Sequence, residues 1–130
     1  MSDLIRVMYV EDEPDIRAVA KLALEVVGGM TVSLCERGNL AVSQAERFLP
    51  QMILLDVMMP GMDGPSTLKA LREHPQLHKV PVAFMTAKVQ AHEIERFKSL
   101  GAVGVIPKPF DPMTLAQQVK DLWRLTEEES

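Results

Sequence analysis

Five short apolar runs recur along this chain, and a longer segment with helical spacing follows each one. The runs are residues 4–10, 30–35, 52–55, 80–85 and 103–106. Their length and β-branched content suit strands buried on both faces of a parallel sheet. The segments between them read as helices. Pro14 opens the first, Ile16, Val19, Ala23 and Val26 mark its inner face, and Gly28-Gly29 stops it. Residues 40–48 form the second, with Leu40, Ala41, Ala45 and Phe48 inward. Pro65 opens a third that carries Leu68 and Leu71. Ala91, Ile94 and Phe97 line a fourth, ended by Gly101, and Pro112 opens a fifth with Leu115, Val119 and Leu122. Each stripe is read as core packing.

Strands alternating with helices imply a parallel sheet covered on both faces. Right-handed crossovers then restrict the topology. The pattern predicts an α/β, doubly wound, flavodoxin-like sheet of five parallel strands in the order 2-1-3-4-5, with five helices. A length of 130 residues fits one domain over 1–130, with a core from about 4 to 125. No apolar run approaches the ~18 residues of a membrane span. Asp3, Arg6, Glu11 and Asp12 interrupt the N-terminus, so no signal-peptide core is present. Cys35 is the only cysteine, which rules out an internal disulfide and suits a cytoplasmic location. The net charge of −4 supplies no basic face for direct binding of nucleic acid. His74 and His78 share i,i+4 spacing, but Pro75 spoils a continuous helical face between them. All three histidines are read as solvated rather than as zinc ligands.

In a sheet of this order, function sits at the carboxyl ends of the strands. Glu11, Asp12 and Glu13 follow the first strand, Asp56 ends the third, Thr86 the fourth and Lys108 the fifth. Any one of these is unremarkable alone, since an acidic run before a helix is commonly a solvated cap. Jointly they place charged or hydroxyl groups at four strand ends along one edge. Clustered carboxylates repel, and without a counter-charge one of them takes up a proton. A hard divalent ion removes that cost, and Mg²⁺ favours a few carboxylates, a carbonyl and retained waters. An aspartate that attacks phosphorus needs such an ion and a cation to neutralise the phosphoryl oxygens. Lys108 fits as the point charge and Thr86 as a hydroxyl donor.

Glu11-Asp12, Asp56 with Met59-Pro60 and Asp63-Gly64, Thr86-Ala87 and Lys108-Pro109-Phe110 form one motif set. On these residues the chain resembles the response-regulator receiver domains of two-component signalling, chemotaxis-regulator-like single-domain receivers among them. The resemblance runs from Val7 to about Leu125. It implies that Asp56 is the phosphoacceptor. Asp12 and Asp56 would be direct Mg²⁺ ligands with the backbone carbonyl of Met58, and Glu11 would act mainly through water. Thr86 would be the hydroxyl switch residue, Ala87 would leave the site open, and Lys108 would contact the phosphoryl group. It also implies a cis Lys108–Pro109 peptide, a histidine kinase or histidine phosphotransfer protein upstream, and a protein partner on the helix 4–strand 5–helix 5 face. Such a chain is a switch that acts only on its own phosphorylation state. Met58 and Lys88 would border the path of the hydrolytic water.

Two residues depart from the family pattern. Val105 stands where an aromatic switch residue is usual, so loop movement rather than a ring rotamer is expected to carry the signal. Pro107 lacks the N–H of a sheet ladder and is expected on an edge strand, which the fifth strand is in the order 2-1-3-4-5. Other functions fit less well. An aspartyl-phosphate phosphohydrolase needs a second acid where Met58 stands, and a flavin mononucleotide carrier would have its phosphate repelled by Glu11, Asp12 and Glu13. A receiver cut from a larger transcription factor or output enzyme, or a phosphorelay intermediate, stays open beside the stand-alone switch.

Overall fold

The computed structural model describes residues 3–4 and 6–128. The elements run β1 (Arg6–Val10), α1 (Pro14–Leu22), β2 (Thr31–Cys35), α2 (Ala41–Phe48), β3 (Met52–Asp56), α3 (Gly64–Glu73), β4 (Val82–Thr86), α4 (Ala91–Ser99), β5 (Gly104–Pro107) and α5 (Leu115–Glu128). The five strands are parallel in the order β2-β1-β3-β4-β5, as the alternation of runs predicts.

The period of two along a strand sends alternate side chains to opposite faces, and two cores result. Val7, Tyr9, Met52 and Leu54 pack with Ala20, Leu24, Leu115, Val119 and Trp123 of the α1/α5 layer. Met8, Val10, Ile53 and Leu55 pack with Ala41, Ala45, Leu68, Leu71 and Phe97 of the other layer. On that side the Phe84 and Phe97 rings meet at 4.9 Å, which seats α4 on β4. Each fully buried side chain of this size contributes about 1.5–3 kcal/mol. Every residue of β3 and β4 is buried. Both strands therefore end in polar groups, Asp56 and Thr86, delivered from the driest part of the sheet.

The first helix differs from the expected stripe. Val19 and Val26 are 44% and 73% exposed, whereas Ala20, Ala23 and Leu24 are buried. Helical spacing from Ile16 permits both registers, and small side chains let a helix approach a sheet more closely. After Leu22 the helix widens into a π turn, Ala23–Val27, capped by Gly28. Ala91 is exposed on α4, where an inward position was expected. The fifth helix begins at Leu115, three residues after Pro112. Asp111 organises that turn, its side chain accepting from Met113 N–H and its carbonyl from the N–H groups of Thr114 and Leu115. The histidines are not all solvated, since His74 reaches Glu46 of α2 at 2.9 Å.

Pro107 is exposed on the edge strand, opposite Thr86. The Thr86 carbonyl accepts from the N–H of Lys108, at 2.9 Å. The Lys108–Pro109 peptide is cis, as expected.

Candidate functional site

Glu11 lies just past β1, at the switch point between the neighbouring strands β1 and β3. Its backbone is fixed from two sides: its N–H donates to the Cys35 carbonyl at 2.9 Å, and its carbonyl accepts from Arg17 Nη1 at 2.7 Å. The side chain is completely buried. Its Oε1 accepts from Lys108 Nζ at 2.7 Å and from the Tyr9 hydroxyl at 3.2 Å, while Oε2 is buried with no hydrogen-bond partner.

Asp56 is 4% exposed, and its Oδ1 lies 3.1 Å from Lys108 Nζ. Lys108 thus bridges the two buried carboxylates from β5. Burial and the neighbouring Glu11 push the Asp56 carboxyl up to about 7, against the pull of Lys108. Glu11 is held below the usual carboxylate range, because hydrogen bonds from the site outweigh the effect of burial. Burial opposes the charge on Lys108 too, but pairing with Glu11 and Asp56 wins and raises its pKa. The site therefore holds one firmly charged acid, one charged lysine and one carboxyl poised near neutrality.

Asp12 is half-buried, and carboxylate oxygens of Glu11, Asp12 and Asp56 all lie within 4.8 Å of one another. Three hard oxygen donors at this spacing, with an orphaned buried oxygen on Glu11 beside them, suit a small divalent cation that retains water. The donor set fits Mg²⁺, and Glu11, Asp12 and Asp56 are the residues that would hold it. Thr86, 5% exposed, ends β4 beside them, its hydroxyl accepting from the Lys88 N–H at 3.1 Å. The Met58 side chain is 74% exposed and stays outside the cluster.

The loop from β3 into α3 is set by local chemistry. The Asp63 side chain caps α3 by accepting from Ser66 N–H at 2.9 Å. Gly64 packs so closely that a Cβ there would stand 2.6 Å from the Asp56 carbonyl oxygen and 2.9 Å from Val57 Cα. Reading strand ends did not single out Tyr9 or Arg17. A tyrosine two positions before a buried glutamate shares its face of the strand, and its hydroxyl needs a partner there, so a signal for Tyr9 was present. Arg17 left none, because its target is a main-chain carbonyl.

Residues 7–120 match the family described as the response regulator receiver domain. Response regulator Rre1 of Synechocystis sp. is 32% identical over 122 residues, which are 94% of this chain and 53% of that protein. The phosphate regulon transcriptional regulatory protein PhoB of Escherichia coli is 34% identical over 119 residues, 92% of this chain and 52% of PhoB. The chain thus spans about half the length of these curated relatives. The structure of the chemotaxis response regulator CheY4 of Vibrio cholerae superposes with a TM-score of 0.84 at 28% identity, covering 92% of this chain and 98% of that one. A match over most of the length, on a sheet of the same order with a carboxylate cluster at its switch point, leads to one conclusion: this chain belongs to the response regulator receiver domain family.

Proposed function

We propose that residues 1–130 act as a single phosphoacceptor receiver in which Asp56 takes a phosphoryl group in the presence of Mg²⁺. The observation that carries this is Asp56 itself: a carboxyl buried at the end of β3, within 3.1 Å of Lys108 and inside a three-carboxylate cluster. Receiver domains as a family are signalling switches that bind Mg²⁺ at their acidic site. In the reaction an Asp56 oxygen attacks phosphorus. The bond to the donor's leaving atom breaks, and the leaving group, an imidazole nitrogen of a phosphohistidine or the carboxylate of acetyl phosphate, departs with the electron pair. Mg²⁺ bound at the carboxylates supplies positive charge against the phosphoryl oxygens. Lys108 contributes the second cation, and the Thr86 hydroxyl donates to a phosphoryl oxygen. The upstream donor is a histidine kinase or a histidine phosphotransfer protein. The α4–β5–α5 face presents the output to a protein partner, in a cytoplasmic setting. No helix among the described residues is long and apolar enough to cross a membrane.

A second reading takes the same switch as the receiver segment of a longer transcriptional regulator. The half-length match to PhoB favours it, and the chemistry at Asp56 is the same in both. The test of that chemistry is incubation with acetyl phosphate and Mg²⁺, followed by intact mass. One phosphoryl group per chain is expected, with none on Asp56→Asn, and Asp12→Ala is expected to lose Mg²⁺ binding because one ligand and one charge disappear. Equal labelling of Asp56→Asn would overturn the assignment.

A further inference from the structure

Every polar atom of Glu11 except Oε2 is engaged by the protein: N–H by Cys35, carbonyl by Arg17, and Oε1 by both Lys108 and Tyr9. Two donors therefore share one oxygen. They are unequal, because Lys108 sits at 2.7 Å with a full charge and the phenol at 3.2 Å without one. Tyr9 is fully buried in the α1/α5 core, and its hydroxyl donates to Glu11. Glu11 and Asp56 together raise the Tyr9 phenol's resistance to ionisation beyond what burial alone does, so it stays a donor.

This arrangement matters when Lys108 is drawn outward. On the phosphoacceptor reading, a phosphoryl group on Asp56 would offer Lys108 new oxygens, and a lysine that follows them would leave Glu11 Oε1. A buried carboxylate stripped of its only donor is costly. Here a second donor already stands against the same oxygen.

We propose that Tyr9 is a positioning residue of the phosphoryl-transfer site, whose hydroxyl takes over Glu11 Oε1 as Lys108 moves to the phosphoryl oxygens. This rests on the phosphoacceptor reading of Asp56. The phenol keeps the Glu11 carboxylate in one rotamer while the lysine changes partners. The phenol contact is long in the resting site and shortens when the lysine departs.

Tyr9 is the only tyrosine in the chain, so one ring-carbon resonance reports on it alone. With tyrosine labelled at ¹³Cζ, the resonance is expected to move toward the tyrosinate side in Lys108→Met, measured without metal or phosphodonor. The same direction is expected in the parent with Mg²⁺ and beryllofluoride, a phosphoryl mimic. Tyr9→Phe keeps the ring and removes only the hydroxyl. At saturating Mg²⁺ and acetyl phosphate it is expected to gain phosphate roughly ten-fold more slowly, the worth of one ordinary hydrogen bond. A resonance that stays put in Lys108→Met overturns the proposal, whether or not Tyr9→Phe folds. So does an unchanged rate in folded Tyr9→Phe. Failure of the phosphoacceptor reading would look different: phosphate would be gained independently of Asp56, while the Lys108→Met resonance would still move.

Discussion

Asp56 is an acid kept in an environment that resists its charge, and this gives the site a stability cost that can be measured. Its carboxyl stands at about 7 in the folded protein against an ordinary 3.8. Between those two values the folded state holds a proton that the unfolded chain has released. Stability from this group therefore falls as pH rises through that window and stays low above it. In metal-free buffer at pH 8, Asp56→Asn is expected to raise Tm by about 5 °C, and at pH 4 to change it little. Thermal melts at the two pH values check this, and a lower Tm for the variant at pH 8 would contradict the assigned electrostatics. A second residue-scale expectation concerns the lifetime of the phosphoryl group. Hydrolysis needs a water that is oriented and deprotonated, and neither Met58 nor Lys88 can accept a proton. Both side chains are exposed. Met58→Asn, which can orient the water, and Lys88→Glu, which can accept its proton, are each expected to speed loss of radiolabelled phosphate by about ten-fold. Unchanged loss in both would remove these side chains from control of the water.

At the scale of elements, α3 has the tightest tolerance. Gly64 has backbone within 2.9 Å of where a Cβ would go, and that backbone belongs to Asp56 and Val57. Gly64→Ala is expected to cost about 2–3 kcal/mol, an overpacking penalty, and to displace the backbone at Asp56 and Val57. Urea unfolding would show the first effect and slowed phosphorylation the second. The strands and most helices were legible because β-branched runs and 3.6-residue stripes are local signals. The inner face of α1 was not, because Ile16 starts two apolar stripes, and the choice between them depends on what the sheet and α5 leave room for. Close approach decides it: a Cβ on Gly28 would stand 2.7 Å from Ala116 Cβ. The start of α5 was misplaced for a related reason. Pro112 is a sound first-turn residue, but Asp111 caps a separate turn before the helix begins.

For the whole molecule, strand order does the work that no single motif can. Once β1 and β3 are neighbours, Glu11, Asp12 and Asp56 must converge, and their convergence was readable from spacing alone. The pairing inside that cluster was not, since which carboxylate takes Lys108 depends on depth. Glu11 lies deeper and takes the shorter contact, 2.7 Å against 3.1 Å for Asp56. On binding a phosphoryl mimic, amide shifts over residues 87–106 are expected to change as Thr86 moves and the loop before α4 follows. A two-dimensional NMR titration reads this directly, and unchanged shifts there would count against an α4–β5–α5 output. Val105 is half-buried and stiff at χ1, so the change should appear in the backbone. Pro107 adds a mechanical consequence. With no N–H of its own, it leaves the Thr86 carbonyl to the amide of the next residue, which is Lys108. Thr86 and Lys108, the two residues assigned to the phosphoryl oxygens in the proposed switch, are thereby joined through their main chains across the gap between β4 and β5. Displacement of either main chain is therefore expected to reach the other through this hydrogen bond.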